Sequence, residues 1–475
     1  MNGLWTASEA IEATGGTTLG DWVATGISID TRTLSPGDLF VALSDRRDGH
    51  DFVADALASG AAAALVSRVP DGVGEDAPLL LVADVQKALE ALAGAARKRT
   101  EARVIAVTGS VGKTSTKDML AHVLSRQGKT HAAVMSLNNH WGVPLTLARM
   151  PRDCDFAVIE IGMNHAGEIT PLSCLARPNV ALVTTVAEAH MAAFSSLDEI
   201  ARAKAELFDG LERGGTAVLN RDDATHALLA ASAGRIGVRI VGFGTQDRAD
   251  YVLRECRIQA ESCIVRASID GATCLFKIGA PGRHLAMNAL SVLAAIEAVG
   301  ADMAVAALDL ADWHPPAGRG QRLTIRLDPV EESQTLELID DAYNANPASM
   351  ASAFEVLAAS QPVDGRGRIR RGRRIAFLSD MLELGAEAAQ KHRALCDLAA
   401  MAQVDTVHCA GALMKNLIEA LPAEKRGEWH ATAETLGARV HHLLDAGDVV
   451  LVKGSKGSRA ALVVDAIKKL AKADP

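Results

Sequence analysis

The stretch RVIAVTGSVGKTSTKDML, residues 103–120, constrains the fold of this chain more than any other. Its first residues form an apolar, strand-like run. Gly109 and Gly112 interrupt that run, and a helical pattern starts at Lys113. A strand that passes through a glycine turn straight into a helix belongs to a parallel α/β sheet, because the helix must pack back over the strand it follows. The same turn points backbone N–H groups and a helix N-terminus at one spot, which suits a phosphate. Lys113 adds a point charge there and Thr114 offers a hydroxyl to magnesium, with Gly109, Ser110, Gly112 and Ser115 forming the rest of the loop. The pattern predicts ATP as the ligand; the alternative is a glycine turn with no ligand. The standard loop has a glycine four residues ahead of the Gly-Lys-Thr, whereas Val107 stands in that place and Gly109 does the turning.

At 475 residues the chain exceeds one ordinary core, so two to four domains are expected. A hydrophobic content of 49% supports buried cores rather than disorder. No apolar run approaches the ~18 residues of a membrane span. The opening MNGLWTASEAIEATGG carries Glu9 and Glu12 and no basic segment, so no secretory leader is expected. Seven scattered cysteines without a Cys-x-x-Cys argue against a zinc knuckle or a disulfide framework and for a cytoplasmic protein. A net charge of −9 with 3% aromatic residues makes nucleic acid a poor partner. The one basic run, RGRIRRGRR at 366–374, reads as a solvated loop.

Three α/β units are expected: residues 1–100, 101–321 and 322–475. In the second, VIAVTG, DFAVIEIG, NVALVTTV and GTAVLN read as buried parallel strands, with the ligand site at their C-terminal ends. Near residues 239–279 the texture changes to short alternating strands, read as an antiparallel insert. The third unit repeats the strand–helix alternation, including one helix over residues 385–401.

Several residues at strand ends and in loops carry chemistry. Glu160 closes a strand beside the phosphate loop, where a carboxylate could hold magnesium or cap a helix. His190 ends another strand; by spacing alone a lone histidine reads as an ordinary polar residue ahead of a ligand. By pattern alone Lys204, in EIARAKAELF, sits on a solvated helix face. NNHWGVP, residues 138–144, offers Asn139 and His140 as donors or forms an ordinary asparagine turn. His284 and Asn288 lie four apart on one helix face. DDAYNANPASM, residues 340–350, holds more hydrogen-bonding groups than a helix cap requires. VKGSKGSR, residues 452–459, is a glycine–serine loop with three cations, suited to an anion.

Taken together, DTRTLSPGDLFVAL, TGSVGKTSTKDML, LNNHWGVPLTL, IEIGMNHAGEI, ARAKAELF, DDAYNANPASM and DMLELG resemble the Mur ligases of bacterial peptidoglycan synthesis, nearly end to end. The last two segments resemble the dipeptide-adding, MurF type of that family. The resemblance implies a three-domain architecture with a central phosphate-loop ATPase-like domain and a Rossmann-like C-terminal domain. It implies ATP-dependent ligation of D-alanyl-D-alanine to UDP-N-acetylmuramoyl-tripeptide through an acyl phosphate, by a cytoplasmic monomer using Mg2+. Lys113 and Thr114 match the phosphate and magnesium positions, Glu160 and His190 the metal carboxylate and histidine, and Lys204 the lysine that the family carbamylates. Asn288 and Arg322 match adenine- and phosphate-contacting positions, and Asp340 or Asp341 would sit near the ribose. Ser28, Asp30 and Arg32 would lie in the pocket for the UDP end, Asn139 and His140 near the diphosphate and sugar, and Tyr343, Asn344 and Asn346 near the peptide ends. Leu285 stands where the family commonly has asparagine, and Ala342 where serine is frequent. The alternatives are a sister ligase adding a single amino acid, or an ATP-binding regulatory protein; the DNPR signature of the diaminopimelate-adding enzymes is absent.

Overall fold

The computed structural model describes residues 3–74, 76–188 and 193–471. Three larger sheets follow one another along the chain. The first has five strands, with Gly26–Ser28, Asp38–Val41, Ala63–Val66 and Leu79–Leu81 pairing in parallel and Thr17–Thr18 antiparallel at the edge. The helix Val85–Lys98 leaves this sheet. Asp84 caps it, accepting a hydrogen bond from the Lys87 N–H, and its apolar face is buried.

The second sheet has nine strands. The strand Arg103–Thr108 lies at its heart, flanked by Phe156–Glu160 on one side and Val180–Val183 on the other. All three run parallel, and their registers bring Glu160 level with Val107 and Val183 level with Thr108. Chain reversal at two neighbouring strand ends therefore opens a crevice over the phosphate loop. The expected antiparallel strands are present, but they extend this sheet rather than form a separate insert. Arg239–Gly244 pairs in parallel with Thr216–Asn220, and Tyr251–Ile258 then joins it at Phe243 and Gly244. The meander Tyr251–Ile258, Cys263–Ile269 and Ala272–Ile278 extends outward from there and folds over the helix Arg283–Ala298, sharing one apolar core with it.

The third sheet has six strands, parallel except for Gln321–Arg326. The single helix expected over residues 385–401 is broken into a helix Ala388–Arg393 and short 3-10 turns. Leu398 is extended (φ −63°, ψ 129°), which lets Leu395 and Met401 on either side of it enter the same core.

Burial ties the first two sheets together. One core runs from Trp5, Leu89 and Leu92 through to Leu145, Ile159 and Phe208. Polar bonds add to this seam: the Trp5 indole donates to the Ala148 carbonyl at 2.9 Å, and Arg97 donates to the carbonyls of Ala176 and Arg177, at the end of the helix Ile169–Ala176. The third sheet has two cores of its own. Among the described residues no helix is long and apolar enough to cross a membrane.

Candidate active site

A cleft of about 660 Å³ opens over the phosphate loop and is lined from both the second and the third sheet. Its floor is the glycine turn. Gly109 has φ +149°, and a Cβ there would lie 1.9 Å from Thr184 Oγ1. Gly112 has φ +88°, and a Cβ would meet the Asn288 amide at 2.9 Å. Neither position admits a side chain, and of the two Gly112 lines the cleft whereas Gly109 does not. Ser110 is tied down by its N–H to the Thr185 carbonyl at 2.8 Å and by its hydroxyl to the Ala187 carbonyl at 2.9 Å.

Charge in the cleft is unbalanced. Lys113 donates to the Gly109 carbonyl at 2.5 Å; burial lowers its pKa, Glu160 opposes the shift and Arg319 adds to it. Glu160 is 1% exposed. Its Oε1 accepts from the Asn138 amide at 2.7 Å, while Oε2 is buried with no hydrogen-bond partner. A buried carboxylate oxygen without a donor is costly, and a cation would satisfy it. Thr114 stands nearby, its Oγ1 3.1 Å from Ser136 Oγ.

Lys204 is not on a solvated face. It is 2% exposed, and burial, reinforced by the positive charge of Lys113, drives its pKa well below the ordinary lysine value. The helix Leu197–Ala205 turns this lysine inward because Ile200, Ala201 and Ala203 anchor it beside the core. His190 lies outside the described residues.

From the third sheet come Asp341, Tyr343, Asn344, Asn346 and Lys453. Asp341 and Lys453 are register partners on adjacent strands and form an ion pair at 2.6 Å. Asn346 caps the helix Pro347–Ala359 in a reciprocal capping box with Ser349. Arg319, between Gly318 and Gly320, bridges the two walls: it donates to Ser136 Oγ at 3.1 Å and lies 4.1 Å over the Tyr343 ring.

The chain matches three family descriptions: Mur ligase family, catalytic domain, over residues 23–99; Mur ligase middle domain, over 107–296; and Mur ligase, glutamate ligase domain, over 325–456. It is 37% identical over 448 residues to the UDP-N-acetylmuramoyl-tripeptide–D-alanyl-D-alanine ligase of Escherichia coli, covering 93% of each chain. The enzyme of the same name from Rickettsia prowazekii is 32% identical, covering 92% of this chain and 94% of its own. The chain belongs to the Mur ligase family. Among solved structures, MurF from Acinetobacter baumannii superposes with a TM-score of 0.81 at 28% identity, covering 98% of this chain and 99% of the other. A Mycobacterium tuberculosis folylpolyglutamate synthase, at 17% identity and a TM-score of 0.59, shares the fold.

This Mur ligase brings together in one cleft Ser110, Gly112, Lys113, Thr114, Ser115, Asn139, His140, Glu160, Asn288, Tyr343, Asn344 and Asn346. It places others elsewhere. Arg322 points away from the cleft and pairs with Glu337 and with the Ser360 hydroxyl (2.7 Å). Asp340 is buried, 3.5 Å from Lys468. Ser28 is buried and donates to the Asp30 carbonyl at 3.0 Å, and Asp30 pairs with Arg32 on the surface of the first sheet. The three cations of residues 452–459 are already engaged: Lys453 with Asp341, Lys456 5.7 Å from the Tyr343 ring centroid, and Arg459 with Glu434. The run 366–374 is partly pinned, since Arg373 pairs with Asp448 at 2.6 Å and the Ile369 N–H donates to Asp445 at 2.7 Å. Ser136 and Arg319 are cleft residues that the sequence reading missed, and Asn138, read there only as one of several donors, is the one that holds Glu160. A lone arginine between two glycines was the one available signal for Arg319.

Proposed function

We propose that this chain ligates D-alanyl-D-alanine to UDP-N-acetylmuramoyl-tripeptide with hydrolysis of ATP, forming a C–N amide bond in peptidoglycan precursor synthesis. The observation that carries the reading is Glu160 with its unpartnered Oε2 beside Lys113 and Thr114, in a cleft whose opposite wall comes from another sheet. Residues 1–100 would hold the UDP end, 101–321 ATP and 322–475 the dipeptide, in a cytoplasmic monomer.

The tripeptide carboxylate attacks the γ-phosphorus and ADP leaves, giving an acyl phosphate. The dipeptide amine then attacks the carbonyl carbon, gives up a proton and expels phosphate. Both reactants of the first step are anions, so the Lys113 ammonium and the loop N–H groups serve mainly to cancel repulsion and hold the attack in line. Asn288, which lies against Gly112 and lines the cleft, would contact the adenine.

The donor set fits magnesium. Thr114 and Glu160 are hard oxygen ligands, and His190 matches the family's metal histidine. Among the described residues no three His, Cys, Asp or Glu side chains cluster, so phosphate oxygens and water would complete the shell. Lys204 would join them as a carbamate. Only a neutral amine takes up carbon dioxide, and burial beside Lys113 favours the neutral form. Bound magnesium would supply charge neutralisation at the transferred phosphoryl group.

The test is phosphate release from ATP with UDP-N-acetylmuramoyl-tripeptide, with and without D-alanyl-D-alanine and against single amino acids. Release and product mass that require the dipeptide are expected. Turnover with a single amino acid would move the chain to a sister activity, and no turnover with any acceptor would remove the ligase reading.

A further inference from the structure

Lys117 lies one helical turn beyond Lys113 and is 2% exposed. A buried ammonium needs partners. It pairs with Asp118 at 2.5 Å and donates to the carbonyls of Ala133 at 2.9 Å and Met135 at 3.4 Å. Between its two apolar anchors, the buried Ala133 and Leu137 on the core, this segment is exposed: Val134 is 74% exposed and Met135 is 72% exposed. Met135 also has φ +65°, a left-handed conformation that a methionine adopts only at a cost. The residues just C-terminal to Met135 form functional surface. The Ser136 hydroxyl meets Thr114 and receives Arg319, Asn138 holds Glu160, and Asn139 and His140 line the cleft. The far end of this segment is fixed separately, by the Gly162 N–H on the Asn138 carbonyl at 2.8 Å.

We propose that Lys117 is a positioning residue: its ammonium holds residues 133–137 in their strained conformation and so presents Ser136 and Asn138 to Thr114, Arg319 and Glu160. The kinetic part of the test rests on the ligase reading above; the exchange part does not.

The variants are K117M, which keeps most of the apolar stem, K117R, which keeps the cation, and M135G, which removes the conformational cost at φ +65°. Amide hydrogen exchange is read over residues 133–139 and over the helix Lys113–Ser125. K117M should speed exchange in the loop while leaving the helix protected, K117R should restore part of the protection, and M135G alone should slow loop exchange. In turnover assays K117M should raise KM for ATP and for the nucleotide substrate about tenfold, the effect of losing one charged hydrogen bond, with kcat changed much less. M135G should recover part of that rise when combined with K117M. Unchanged loop exchange in K117M overturns the proposal, as does an M135G that leaves loop exchange unchanged, which is readable even if K117M fails to fold. Absent turnover in the wild-type protein would count against the ligase reading alone, with loop exchange still deciding the role of Lys117.

Discussion

At the scale of single residues, two neighbouring lysines differ in their surroundings, Lys113 lining the cleft and Lys204 buried beside it. Burial lowers the pKa of Lys113, and Glu160 opposes that shift. Lys204 is buried against the positive charge of Lys113 and is driven toward the neutral amine. Lys113→Ala should cut turnover by roughly 10³-fold or more with the thermal melt nearly unchanged; near-wild-type turnover would remove the phosphate loop from the chemistry. Lys204→Ala should be inactive and regain part of its activity with a short carboxylic acid, as expected if a carboxylate-like group is what is missing. Away from the cleft, His408 is 4% exposed, accepts the Glu428 N–H at Nδ1 and stacks on Phe377. Burial is the main cause that pushes its pKa down to about 4; Arg373 and His430 add to the shift and Glu428 opposes it. A folded-state value below the unfolded one means that protons bind preferentially to the unfolded chain. This stability is complete above about pH 6.5 and is lost as pH falls toward 4. From about pH 6.5 to about pH 5 the loss is roughly 2 kcal/mol. Urea midpoints across that window should fall in the wild-type protein and flatten in His408→Gln.

At the scale of elements, the decisive unit is the strand–turn–helix at 103–125. Its glycines are required by contacts as well as by turn geometry. Gly109→Ala would drive a Cβ into Thr184 Oγ1 at a φ no alanine favours. A loss of at least about 2 kcal/mol in chemical denaturation is expected, together with weakened ATP binding; unchanged binding would mean that the turn can reshape without harm. The strand Phe156–Glu160 matters for a different reason. Parallel pairing in register with Arg103–Thr108 fixes the Glu160 backbone at the crevice, and the Asn138 amide then holds its side chain.

At the scale of the whole molecule, the two halves of the cleft are joined unequally. The first two sheets share a continuous apolar core, whereas across the cleft the third meets the second through polar contacts: Arg319 to Ser136, and Lys391 to Glu188 at 2.7 Å. Apolar cores do not slide freely, whereas two polar contacts, one of them an ion pair whose carboxylate is half-exposed, break at less cost. Relative motion therefore belongs at the cleft, which suits an enzyme that must admit three substrates and then exclude water. Lys391→Met should lower kcat/KM by no more than about fivefold, because Glu188 is 43% exposed. The difference from wild type should shrink in high salt; a larger, salt-insensitive loss would mean that the contact does more than hold the two sides together.

The sequence by itself determined the α/β class, the central strand–turn–helix and the residues beside it, because those depend on local periodicity and on which residue types tolerate a tight turn. Glu160 was legible for the same reason: a strand end is a local feature. What lies between distant segments was decided only by the tertiary structure. Lys204 has the pattern of a surface lysine and is buried, since burial depends on what packs over the helix. Arg319 reaches the cleft from the turn before the strand Gln321–Arg326, while Arg322, inside that strand, is taken up by Glu337 on the antiparallel neighbour. Asp341 and Lys453 are 112 residues apart and neutralise each other only through strand register. Side-chain pattern is written in neighbouring residues, whereas charge pairing, burial and the assembly of a cleft depend on contacts that only the folded chain creates.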